Sequence, residues 1–231
     1  MRRVLITGTT RGLGQFLAQR YLESGDYVIG CGRGAAAIQH ERYRHHETDV
    51  ADEASVTALF ATIRREEGHL DVLINNAGTA AMNAFALTPP RSTKKVLGTN
   101  VLGTMLMSHA AIRLLRRSPH GRIVNLTTIA VPLRLSGEAV YAASKSAVEM
   151  FTRIVAKELG PLGITCNAVG PSIIPTALTA GIPADKFQRI LDQQAVARPA
   201  TPEDVAHVID FFLQPESDLI TGQVVYLGGL G

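Results

Sequence analysis

Tyr141 and Lys145 stand four residues apart in "YAASK" (141–145), and on a helix that spacing puts both side chains on one face. A tyrosine can give a proton to an oxygen that is gaining negative charge. Its unperturbed pKa of about 10 suits proton exchange near neutrality poorly. A neighbouring ammonium favours the phenolate: lowering the pKa by about 3 units takes about 4 kcal/mol, within reach of a cation in a partly desolvated site. A working pair also needs a hydroxyl upstream to polarise the group being protonated. Serine is the usual choice, and the preceding strand-like run "GRIVNLTT" (121–128) offers Thr127 and Thr128 instead. Taken alone, Tyr-x3-Lys equally describes a helix-surface pair with both polar groups in water. The rest of the chain has to decide.

A second motif lies at the start. "TGTTRGLG" (7–14) follows the apolar run "RVLITG" (3–8) and precedes helical periodicity, with Gly8, Gly12 and Gly14 in a G-x3-G-x-G spacing. Gly8 permits a tight turn, Gly12 lets backbone approach a pyrophosphate, and Gly14 lets the new helix pack closely on the strand. The helix start then offers free N–H groups and a positive dipole end to phosphates, with Thr10, Arg11 and Leu13 in the same loop. An acidic residue ending the second strand would select a free ribose hydroxyl. The stretch "YVIGCGRG" (27–34) has no carboxylate there and has Arg33 at the turn, with Arg11 able to reach the same volume. Two guanidinium groups and no acid favour NADP(H), whose extra phosphate they match with paired hydrogen bonds.

The elements that must position these motifs alternate along the whole chain. Strands are expected at 3–8, 27–32, 71–78, 121–128, 163–169 and 223–229, with a further one near 44–50. Several are unbroken Val/Ile/Leu runs, as in strands buried on both faces of a parallel sheet. Helices are expected near 12–24, 52–67, 91–117, 139–160, 184–195 and 202–213. Asp52 and Thr201 stand at starts, and Pro202 at a first helical position. This alternation predicts an α/β, doubly wound sheet of about seven strands with helices on both faces. No linker-like stretch divides it, so residues 1–231 read as a single domain.

Composition narrows the classes further. The chain is 46% hydrophobic and 19% charged, as in an ordinary globular protein. Cys31 and Cys166 show no pairing pattern, which fits a reducing cytosol. The apolar part of "MRRVLITG" is far too short for a signal-peptide core, and no run reaches about 18 apolar residues. The basic clusters at 40–46 and 113–122 are short and not interleaved with aromatic residues, which argues against nucleic-acid binding. The seven histidines include no metal-like spacing, so no metal site is expected.

In chain order, "TGTTRGLG" (7–14), "NNAG" (75–78), the asparagine of "TNVLGT" (99–104), "YAASK" (141–145) and "NAVGPSIIPT" (167–176) make the sequence resemble the short-chain dehydrogenase/reductase family over nearly its entire length. Within it the chain is most similar to ketoreductases of the 3-oxoacyl-carrier-protein reductase type. The resemblance implies a Rossmann-type fold and carbonyl reduction with NADPH, Tyr141 giving the proton. It implies that Asp49 and Val50 line the adenine pocket and that Asn76, Ala77 and Gly78 pass close to the cofactor. Lys145 would reach the nicotinamide ribose, and Asn100 would hold a water linking Lys145 to solvent. Pro171, Ile174 and Thr176 would flank the nicotinamide carboxamide. The family places its hydroxyl about 13 residues before the tyrosine, and counting back gives Thr128. Thr127 and Ser136 stand as the alternatives, while Ser144 is expected to pack or cap locally. The sequence departs from the family at Ser172, where glycine is common, and at "YLGGLG" (226–231), which lacks an aspartate before its glycine pair.

The same residues serve alcohol oxidation with NADP, and a non-catalytic, NADP-sensing interaction protein could also be built on this fold. The segment 175–198 is expected to cover the substrate, with Leu178, Ile182 and Phe187 as apolar lining and no acid or base standing out for a substrate charge. Arg113, Arg116, Arg117 and Arg122 could meet a carrier protein, or simply form a solvated face. By analogy with the family, the helices near 91–117 and 139–160 pair copies into a dimer or tetramer.

Overall fold

The computed structural model describes residues 1–175, 179 and 181–229. Its centre is a parallel sheet of β1 (Arg3–Thr7), β2 (Tyr27–Gly32), β3 (Tyr43–Glu47), β4 (Val72–Asn75), β5 (Gly121–Leu126), β6 (Ile164–Gly170) and β7 (Val224–Tyr226). The order across the sheet is β3-β2-β1-β4-β5-β6-β7. The chain thus winds outward from β1 in one direction and then outward from β4 in the other. The crevice between the carboxyl ends of β1 and β4 is the switch point at which such sheets bind ligands.

Alternation along each strand explains why the runs are apolar throughout. Val4 and Ile6 of β1, Val72 and Ile74 of β4 and Val124 of β5 face one layer, where they meet α1 (Gly12–Glu23) and α8 (Pro202–Leu213) through Leu17, Tyr21, Val205 and Ile209. Leu5, Leu73 and Ile123 face the other layer, against α2 (Glu53–Glu66) and α4 (Gly103–Leu115) through Leu59, Ile63, Met107 and Leu114. Both faces are covered, as the doubly wound expectation requires. Cys31 and Cys166 are buried and unpaired within the second layer, and burial pushes both thiols up to about 12. No helix among the described residues is long and apolar enough to cross a membrane.

Helix starts follow their signals. Asp52 accepts from the Ser55 N–H at 2.8 Å to cap α2, and Thr201 and Asp204 form a capping box on α8 behind Pro202. Elsewhere the elements differ from expectation. The helix expected over 91–117 is α3 (Pro90–Leu97), a π-helical turn (Gly98–Leu102) and α4. The strand expected over 71–78 stops at Asn75, because the Asn76 and Ala77 N–H groups turn to the Thr7 side chain. A short helix, α5 (Ala130–Leu133), precedes α6 (Ala139–Leu159), and α7 is Ala184–Leu191. Arg122 is no partner-facing cation: it is 1% exposed, paired with Asp218 and donating to the Gln214 carbonyl at 3.1 Å.

Candidate active site

One cavity of about 1070 Å³ opens at the switch point and joins the two motifs read from the sequence. At one end lies the glycine loop. Gly8 turns the chain at φ +77°, and Gly12, at φ +59°, has nothing within 4 Å of where a Cβ would stand. A Cβ on Gly14 would run into the Gly8 carbonyl and the Asn76 amide, so only glycine seats α1 this close to the strand. Asn76 secures that turn by donating to the Thr7 carbonyl at 2.8 Å. The N-cap of α1, Arg11, is extended and provides no side-chain cap, so the first N–H groups of α1 lack a side-chain partner. This cradle and helix end suit a pyrophosphate, and the residues present fit a nicotinamide dinucleotide.

Arg11 and Arg33 are both exposed at the cavity, and neither guanidinium forms a hydrogen bond or ion pair with another described residue. The loop carrying Arg33 is braced from β3. Thr9 bonds the Tyr43 hydroxyl at 2.9 Å, that hydroxyl meets His45 Nδ1 at 3.1 Å, and His45 Nε2 meets the Gly34 carbonyl at 2.8 Å. Thr10 and Leu13 line this end of the cavity, as do Asp49 and Val50. Asp49 Oδ1 accepts the Ala51 N–H at 3.0 Å.

At the other end Tyr141 and Lys145 lie on the buried face of α6. Tyr141 and Thr128 both line the cavity, with Thr128 near enough to act on the phenol, and the Thr128 hydroxyl accepts the Ala130 N–H at 3.2 Å. Burial pushes the phenol up to about 12, Thr128 draws it back, and the Glu138 charge adds to the rise. Lys145 is not among the groups that shift the phenol, and its Nζ donates to the Leu126 carbonyl at 2.7 Å. Burial brings Lys145 down to about 8.

Asn100 lies behind the cavity wall and is fully buried. It accepts the Thr79 N–H at 2.9 Å and donates to the Thr79 carbonyl at 2.9 Å and to Ser144 Oγ at 3.0 Å. The π turn gives its carbonyl to the Thr104 hydroxyl at 2.9 Å. A Cβ on Gly78 would stand 3.5 Å from Asn100 Oδ1 and 3.6 Å from Lys145 Nζ, so the two side chains converge on this glycine. Asn100 therefore positions its neighbours. Ser144 also donates to the Tyr141 carbonyl at 2.6 Å, a local tie as expected.

Asn76, Ala77, Gly78, Pro171 and Ile174 line the cavity too, while Thr176 and Leu178 lie outside the described residues. Thr127 turns away, donating to the buried Glu149 at 2.6 Å, and Ser136 offers its carbonyl to Lys186 at 3.1 Å. The sequence reading overlooked Glu138. It is 4% exposed, lines the cavity and stands three residues before Tyr141. Its signal was available: it stands three residues before the tyrosine, at the N-cap of the same helix.

A family model described as enoyl-(acyl carrier protein) reductase matches residues 8–229. The 3-oxoacyl-[acyl-carrier-protein] reductase of Vibrio harveyi is 32% identical, covering 97% of this chain and 95% of the relative. Among solved structures, the 3-ketoacyl-(acyl-carrier-protein) reductase of Brucella melitensis complexed with NADH superposes with a TM-score of 0.89 at 26% identity, covering 98% of this chain and 96% of the other. A gluconate 5-dehydrogenase of Burkholderia cenocepacia in complex with NADP and tartrate superposes with a TM-score of 0.92 at 26% identity, covering 99% and 94%. With its switch-point cavity, glycine cradle and Tyr-x3-Lys helix, this chain belongs to the short-chain dehydrogenase/reductase family.

Proposed function

We propose that this protein, a single domain working in the cytosol, reduces a ketone or β-ketoacyl-type carbonyl with NADPH. The observation that carries the reading is the gathering of Thr128, Tyr141 and Lys145 in the wall of the cavity that also holds the glycine cradle. The glycine loop and Arg11 and Arg33 would hold NADPH, which when bound would supply the hydride to the carbonyl carbon. Thr128 polarises the carbonyl oxygen, and Tyr141 gives it the proton that completes the alcohol. A phenol held at about 12 stays protonated at neutral pH, as a proton donor must. Lys145, when charged, stabilises the phenolate left behind, and a pKa near 8 lets it pass a proton on.

The identity of the substrate is framed by the relatives. The Vibrio and Brucella proteins are named as reductases of ketoacyl groups on a carrier protein, and a carrier-bound substrate is the first expectation here. The Burkholderia neighbour is named for oxidation of a sugar acid and contains NADP, which favours alcohol oxidation with NADP as the second reading. The described residues after β6 flank the substrate end: Ile182 and Ile190 line the cavity, and Phe187 packs on Ile129, Ile173 and Ile190. The chain assembles with copies of itself.

The test is NADPH oxidation across a panel of ketones, β-ketoacyl thioesters and enoyl thioesters. Turnover of ketones or ketoacyl thioesters is expected, with Tyr141→Phe slowing it at least 100-fold while still binding NADPH. Turnover of enoyl thioesters alone, or equal rates in the Phe variant, would exclude the reading.

A further inference from the structure

Glu138 has no part in the chemistry above. It holds the N-cap position of α6, yet its side chain caps nothing. It is 4% exposed, and its carboxylate forms no hydrogen bond or ion pair with any described residue. The carboxylate opens onto the cavity, so a ligand that fills this end and displaces the water there must replace its hydrogen bonds. Burial pushes the carboxyl upward, with Lys186 drawing it back.

The surroundings say what the ligand should be. Ile129, Leu135, Ile182 and Ile190 supply hydrocarbon to the same end of the cavity. Among the described lining residues the other acid is Asp49, at the adenosine end and already accepting the Ala51 N–H. Glu138 stands beside Tyr141, close enough for its charge to act on the phenol. A cation already flanks it from α7: Lys186 Nζ donates to the Ser136 carbonyl and stands 3.5 Å from where a Cβ on Gly137 would be. A second cation would meet repulsion from Lys186, whereas a neutral donor would not. A plain ketoacyl chain would leave the carboxylate buried and unpaired.

We propose that Glu138 selects the substrate, its carboxylate accepting a hydrogen bond from a hydroxyl carried beside the carbonyl that is reduced. This rests on the carbonyl-reduction reading. The preferred substrates are therefore hydroxyketones, free or as part of a larger molecule.

The test uses four ketones of one carbon skeleton: unsubstituted, and bearing a hydroxyl, a methyl ether or an ammonium on the carbon beside the carbonyl. kcat/KM is measured with NADPH for the wild-type chain, Glu138→Gln and Glu138→Leu, with NADPH affinity by fluorescence showing that each variant keeps its cofactor end. The wild-type chain is expected to prefer the hydroxyketone over the methyl ether about tenfold or more. That ratio should fall to near one in Glu138→Leu and partway in Glu138→Gln. The same ratio in wild type and Glu138→Leu, or a ratio near one in the wild type, overturns the proposal. A Glu138-dependent preference for the ammonium ketone overturns the neutral-donor assignment. Turnover of none of the four sinks the carbonyl-reduction reading as well, whereas turnover of all four at a Glu138-independent ratio sinks this proposal alone.

Discussion

A single methyl distinguishes the hydroxyl of this site from a serine. Thr128 keeps the donor and acceptor that a carbonyl needs, and its Oγ1 accepts the Ala130 N–H in the wall that Tyr141 shares. The branch at Cβ restricts χ1 and occupies space where a substrate would sit. Thr128→Ser is therefore expected to keep turnover and to broaden the range of ketones accepted. Thr128→Ala should lower kcat tenfold or more with NADPH affinity unchanged, because its hydroxyl acts on the reacting oxygen. Steady-state rates on the same ketone panel decide it; a harmless alanine would pass the role to another hydroxyl. Thr127 is the poorer candidate, since its hydroxyl is committed to Glu149. At this scale, residues set by local spacing were legible. Tyr141 and Lys145 share a face because they are one turn apart, and the loop glycines declare themselves by what a Cβ would strike. The burial of Glu138 was not legible, because the cavity it lines takes its other walls from α5, α7 and the loop after β6, far from it in sequence or set only by the fold.

At the scale of elements, the ends of β1 and β2 decide which dinucleotide fits. The turn after β2 carries no acid, and the Tyr43–His45–Gly34 chain of hydrogen bonds holds it against the glycine loop. Arg33 and Arg11 stand open there without partners among the described residues, the arrangement a 2′-phosphate would use. Arg33→Asp replaces a guanidinium with a carboxylate that would repel the phosphate and accept from a ribose hydroxyl. NADPH affinity, measured by fluorescence titration, is expected to fall tenfold or more while NADH affinity holds or rises. Equal losses for both would remove the assignment of NADPH. The strands were legible because parallel strands buried on both faces must be apolar throughout. The π turn was not, because its apolar periodicity is that of an ordinary helix. What requires it is tertiary: Asn100 must face Thr79 and Ser144 together, and Gly103 must pass so near Val50 that a Cβ would come within 2.7 Å of it.

Across the whole molecule, the surface retains apolar side chains that the fold does not use. Leu97 ends α3, Leu102 ends the π turn, and Met150 and Ile154 lie one turn apart on α6, all between 42% and 56% exposed. The π turn and α3 both pack against α6, so these side chains gather on one side of the molecule. An apolar patch that no described element covers marks a surface for association, and a second copy of this chain carries the same patch. The expected assembly buries it about a two-fold axis, with each protomer keeping its own complete cavity. Exchanging Met150 and Ile154 for glutamate places two like charges per protomer at that surface, where desolvating them is costly. Light scattering on a sizing column should show the wild-type chain as a dimer or tetramer at micromolar concentration and the Met150→Glu/Ile154→Glu chain shifted toward monomer. NADPH affinity per protomer should stay within about threefold, since neither residue lines the cavity. A wild-type monomer across that range would leave the patch to a different partner, and an unshifted double variant would move the interface to another face.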